Sequence, residues 1–127
     1  MVCLPRADME HCLKLGKFGL KMPRLIGSVK ELDRVVFYVT KEQKLIGLGE
    51  VTKGYYKGSG EIFHSAGIFP HRFDFKASRL QPEIDFRSLL TDMELTKNTT
   101  NWGGILRLGI ARLPDQDWLL IESISQS

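Results

Sequence analysis

Much is missing from this 127-residue chain, and each gap excludes something. No apolar run approaches the roughly 18 residues of a membrane span. The N-terminal MVCLPRADME lacks a signal-peptide core, because its apolar stretch stops at Pro5 and acids follow. A cytoplasmic protein with no membrane attachment is expected. There are only two cysteines, Cys3 and Cys12. Neither belongs to a paired zinc signature, and His11 beside Cys12 has poor geometry for joint chelation, so no metal site is expected. In a reducing compartment both cysteines read as small buried apolar residues. His11, His64 and His71 lie in separate segments. GxGxxG, P-loop, GxSxG and HExxH motifs are all absent. Nothing forces an enzyme, and no cofactor is implied. With no internal repeat or low-complexity run, residues 1–127 read as a single domain large enough for a core.

Acid is also missing from one place. Between His11 and Lys30 there is no Asp or Glu, while Lys14, Lys17, Lys21, Arg24 and Lys30 supply five cations. Residues 1–60 hold eleven Lys/Arg against six Asp/Glu, and residues 61–127 hold seven against nine. Such asymmetry suits an anionic partner, although a solvated helix end and loop produce the same pattern.

The strongest structural signal is the stretch from Asp33 to Tyr56, which reads as a hairpin apolar on both faces. Val35, Phe37 and Val39 point one way, and Val36, Tyr38 and Thr40 the other. On the second strand, Leu45, Gly47, Gly49 and Val51 share a face. Two glycines on one face mean that the strand bends sharply or leaves a hollow. Upstream, Val2–Leu4 is a short strand. Residues 7–15 form a helix, with Asp8 as a cap candidate and Gly16 as its stop. Phe18–Leu20 is briefly extended, and 21–27 is a basic loop. Downstream, residues 69–77 alternate as a half-buried strand, 84–90 carry a short helix after Pro82, and 105–110 are apolar. Pro114 opens a last helix with Trp118, Leu119, Ile121 and Ile124 on its apolar face. Strands of mixed direction with bent glycine positions predict an α+β fold, a partly open β-barrel with helices packed outside.

Aromatic rings beside flexible residues recur at Phe18-Gly19, Tyr55-Tyr56 and Trp102-Gly103. They are either core aromatics or platforms on which a flat base stacks, with cations for the phosphate. Glu50 is a charge on an apolar strand. It faces solvent at the hairpin edge, or it lines the hollow and pairs with Lys21.

The stretch ELDRVVFYVTKEQKLIGLGEVTKGYY resembles the centre of the EVE domain, a PUA-like family, with Asp33, Phe37, Tyr38, Ile46, Gly47, Val51 and Tyr55 fitting its pattern. FPHRFDFKASRLQPEIDFRSLL and the C-terminal DMELTKNTTNWGGILRLGIARLPDQDWLLIESI are similar to the parts that follow in archaeal-type members. The chain departs from the family in its first strand, which lacks the usual tryptophan, and in Asn101-Trp102-Gly103, which replaces the bacterial Arg-Leu-Ser motif. EVE domains are similar to YTH domains, which read methylated adenine through an aromatic cage. The resemblance therefore implies a reader of a modified base in DNA or RNA, working as a monomer or weak homodimer. It implies ligand contacts from Phe18, Gly19, Lys21, Tyr38, Glu50, Tyr55, Asn101 and Trp102. The nucleic-acid backbone would lie along Lys14, Lys17, Arg24 and Lys30. The related ASCH amidohydrolases imply an alternative, a small enzyme acting on a modified nucleoside through Lys21 and Glu50, whose third group, a threonine, has no match in the loop.

Overall fold

The computed structural model describes residues 1–22, 25–60, 69–90, 92–95 and 109–125. Five strands form one mixed sheet: β1 (Val2–Leu4), β2 (Lys17–Leu20), β3 (Arg34–Val39), β4 (Lys44–Lys57) and β5 (His71–Asp85). Their order is β1-β3-β4-β5-β2, with β1 parallel to β3 and every other pair antiparallel. The edge strands β1 and β2 are joined through α1 (Arg6–Leu15). The sheet stays open rather than closing on itself, the partly open barrel that the sequence predicts.

Local chemistry explains most of the elements. On α1, Met9 and Cys12 point to the core, and Gly16 closes the helix at φ 73° with its amide on the Cys12 carbonyl. Pro5 occupies the N-cap position without a side-chain cap, so the cap expected from Asp8 is replaced; Asp8 is buried within the first turn. A 3-10 turn at Leu25–Ser28 places Ile26 in the core. A second, at Phe86–Leu89, is capped by Asp85, which accepts from the Arg87 amide. The last helix, α2 (Asp115–Ser125), begins just after Pro114. Among the described residues no helix is long and apolar enough to cross a membrane.

The sheet carries a core on each face. One holds Met9, Cys12, Phe18, Val35, Phe37, Val51, Phe73 and Phe75. The other holds Cys3, Val36, Tyr38, Leu45, Ile84, Phe86 and Ile121. Between β3 and β4 strict alternation fails once. Tyr38 faces Leu45 and Phe37 faces Gly47, which leaves Ile46 as an extra residue. This bulge sends Leu45 to the second core and Ile46 to the first. Gly47 and Gly49 open on the Phe37 side, but no hollow results. A Cβ on Gly49 would stand 3.0 Å from Phe37 Cε2 and 2.7 Å from the Lys76 carbonyl oxygen. The missing side chains admit the Phe37 ring and the close approach of β5.

β5 is longer than the alternation over 69–77 predicts. It continues because Leu80 and Ile84 bury in the second core and Ile84 pairs with Leu45. Pro82 is tolerated because the ladder steps from Arg79 to Ile84 while β4 advances only from Gly47 to Leu45. It lies in the bulged stretch between these pairs, where no ladder bond is asked of it.

Candidate functional site

A groove of about 1260 Å³ opens where the chain enters β3. Its floor is the first core: Val35, Val51 and Phe73 line it from the sheet. One wall comes from the 3-10 turn and the loop into β3, with Leu25, Lys30, Leu32 and Asp33. The opposite wall comes from Ile110–Asp115 and the outer side of α2. That segment is anchored to β1, since Cys3 donates its amide to the Gly109 carbonyl and Ala111 to that of Met1.

The charged side chains at the groove are organised. Glu122 accepts from the Arg34 guanidinium at 3.0 Å and from the Trp118 indole N–H at 3.1 Å. The Arg34 Cζ stands 5.5 Å from the Trp118 ring centroid, so one carboxylate holds a cation–π pair in place. The loop wall is equally tied. Asp33 Oδ2 accepts from the Lys30 amide at 2.9 Å, and the Asp33 carbonyl accepts from Val51 at 2.7 Å. Lys30 and Arg112 line the groove with no carboxylate partner among the described residues.

The residues expected from sequence lie in several places. Phe18 is fully buried, its ring centroid 5.5 Å from that of Phe73. Gly19 pairs with Arg72 on β5. Tyr38 belongs to the second core, edge-on to Phe86 at 4.9 Å, and burial pushes its phenol up to about 12. Tyr55 stacks on His71 at 5.8 Å, with its hydroxyl 2.7 Å from Nδ1. Lys14 is exposed beside Arg79 in a shallow depression. Lys17 donates to both Asp74 oxygens at 3.2 Å and to the Tyr56 hydroxyl, and the Asp74 bonds raise its pKa, so it stays charged. Lys21 carries its ammonium 5.3 Å from the Phe69 centroid. Of these residues only Lys30 lines the groove. Arg24, Asn101 and Trp102 lie outside the described residues, as do His64 and residues 105–108 of the apolar segment expected at 105–110.

The enzymatic alternative needs Lys21 beside Glu50, and the register separates them. Glu50 is exposed on β4, opposite Arg34 on one side and Lys76 on the other. Lys21 follows Leu20, which pairs with His71, which in turn pairs with Lys57. From Glu50 to Lys57 the strand runs about 20 Å, so the two groups share no site. Among the described residues no three His, Cys, Asp or Glu side chains converge as a metal-ion cluster.

Reading the sequence alone overlooked Leu32, Arg34, Phe73, Arg112 and the groove-facing role of Trp118. One signal was available for the last: Trp118 and Glu122 are four apart on a helix, so they share a face. Leu119, expected on the buried face of that helix, is 61% exposed. The second core takes Leu120 instead.

An open mixed sheet with a helix or turn on each face is a PUA-like architecture. It aligns with a Pseudomonas putida crystal structure at TM-score 0.66 and 11% identity, covering 98% of this chain and 97% of that one. It aligns with the Mmi1 YTH domain solved in complex with RNA at TM-score 0.63 and 12% identity, covering 99% and 76%. The EVE domain family model matches residues 21–124. A UPF0310 protein of Pyrococcus horikoshii is 30% identical over 140 aligned positions, covering 97% of this chain and 96% of the relative. The chain belongs to the EVE domain family.

Proposed function

We propose that this protein is a nucleic-acid-binding module that reads one base, in modified form, in the groove between the loop into β3 and α2. The observation that carries the reading is the make-up of that groove. Its floor is apolar, at Val35, Val51 and Phe73. One wall carries the Trp118 indole, and the lip carries Lys30, Arg34 and Arg112. A nucleobase offers flat apolar faces for such walls, and its flanking phosphates call for cations. A volume of about 1260 Å³ exceeds a single base and leaves room for the adjoining sugar and phosphate. The shared fold of a YTH domain solved with RNA supports the same reading. Phe18 then acts from beneath, by backing Phe73 rather than stacking on the ligand.

The test is a fluorescence-anisotropy screen of DNA and RNA, single-stranded and duplex, carrying different modified nucleosides, run at two salt concentrations. One modification should bind at least about tenfold more tightly than its unmodified parent, a difference of ~1.4 kcal/mol. Affinity should fall as salt rises. Lys30→Ala should weaken all sequences alike and reduce the salt slope by about one. Uniformly weak binding, with no preference among bases at either salt, overturns the base-reading assignment.

A further inference from the structure

Leu32 is a poor choice of residue for its position by every folding criterion. It is 68% exposed, yet its backbone stands at φ 77°, a region that leucine disfavours and glycine or asparagine adopt readily. Among the described residues, the other non-glycine residues with positive φ are Lys41 and Gln43, polar residues around the β3–β4 turn, where this conformation is ordinary. The strained backbone at Leu32 is rigidly held. Its amide donates to the Val51 carbonyl at 2.8 Å, and the next amide, of Asp33, donates to Lys30 at 3.1 Å. The loop therefore presents an apolar side chain to water from a fixed position on the groove wall. Lys30 and Arg34 stand two residues away on either side, both exposed. Outliers of this kind cluster at active sites and ligand clamps.

We propose that Leu32 is a wedge, and that the natural ligand is a base drawn out of a stacked duplex rather than one already free in a single strand. This inference rests on the base-reading function assigned to the groove. Extruding a base breaks its stacking and pairing and leaves a gap. An apolar side chain inserted at the gap restores contact with the neighbouring bases. Leu32 has the exposure, the rigidity and the position for this, since it borders the groove that would take the extruded base. Lys30, exposed and without a carboxylate partner among the described residues, is the cation beside Leu32 that would meet a phosphate flanking the gap.

The experiment uses DNA oligonucleotides with 5-methylcytosine, 5-hydroxymethylcytosine or N6-methyladenine at one central position. Each is offered as a single strand and as a duplex, to the wild type, Leu32→Gly and Leu32→Met. Glycine suits the backbone at this position, so the variant keeps its fold. Leu32→Gly should weaken duplex binding by about tenfold more than it weakens single-strand binding. Leu32→Met, which keeps an apolar side chain of similar reach, should stay near wild type on both. In a bound duplex, 2-aminopurine placed beside the modified base should brighten with the wild type and less with Leu32→Gly. Equal weakening of both forms, or of neither, overturns the wedge. Wild-type binding to single strands without binding to duplexes overturns the wedge alone. Failure of the wild type on single strands and duplexes alike overturns the base-reading function, and the wedge with it.

Discussion

At the scale of single residues, the two core-facing glycines of β4 show how close approach dictates composition. At Gly49 a methyl group would meet the Lys76 carbonyl at 2.7 Å and the Phe37 ring at 3.0 Å, and β5 backbone cannot swing aside as a flexible side chain can. Gly49→Ala should destabilise the fold by about 1–3 kcal/mol through overpacking. Gly27 has nothing within 4 Å of its imagined Cβ. Gly27→Ala should stay within roughly 0.5 kcal/mol of wild type. Urea denaturation of the two variants checks the contrast, and equal midpoints would refute the packing account. The same contacts answer the question that the spacing of Gly47 and Gly49 raises. Their missing side chains are replaced by Phe37, and the open groove lies elsewhere, beside Leu32 and Trp118.

At the scale of elements, α2 does more than cover the second core. Asp117, 1% exposed in its first turn, accepts from the Glu94 amide at 2.6 Å and the Leu95 amide at 2.8 Å. It thereby ties the segment after Leu89 to the helix that bears Trp118. Both carboxylate oxygens are used, and an amide can supply only one acceptor. Asp117→Asn should cost about 1–3 kcal/mol, because one buried N–H then faces another donor. Hydrogen exchange should accelerate at Glu94 and Leu95; unchanged protection there would show that the tie is dispensable. The elements themselves were largely legible in the sequence. The hairpin announces itself by period-two alternation, α1 by its apolar spacing and Gly16, and α2 by Pro114. Legibility ended where pairing decides. The bulge at Ile46 and the extension of β5 past Pro82 depend on which residues face each other across strands. The groove was harder still, because Val51, Phe73, Arg34 and Trp118 come from four separate elements. The basic run from Lys14 to Arg24 is contiguous in sequence and looks like one surface. Strand geometry instead turns Lys17 toward Asp74 and leaves Lys30 on the groove.

At the scale of the whole molecule, a clamp of ion pairs ties the start of α1 to the sheet. Arg6, the first residue of α1, forks between two carboxylates. It donates to Glu42, beyond the end of β3, at 2.7 and 3.0 Å, and to Glu83, in the bulged stretch of β5, at 2.9 Å. Three elements far apart in sequence meet at one guanidinium. The Arg79–Glu10 pair ties α1 to β5 a second time. The Arg6 side chain is 33% exposed, so solvent tempers the strength of the clamp. Its hydrogen bonds nevertheless hold the Glu83 and Glu42 carboxyls below their ordinary value of 4.5. A carboxylate whose pKa is depressed on folding stabilises the native state fully above its unfolded pKa. That contribution is lost as pH falls through the folded value. The urea midpoint of the wild type should therefore decline as pH drops below about 4.5. Arg6→Met should lower the midpoint at neutral pH and flatten the decline, because its glutamates titrate near their ordinary value in both states. The wild-type and variant curves should converge at the acid end, where both carboxyls are protonated and the guanidinium has no anion to bind. Other acidic groups titrate in both proteins, so the difference between the curves isolates the clamp. Parallel curves separated by a constant offset at every pH would mean that Arg6 contributes packing alone, and that α1 is held to the sheet without electrostatic help.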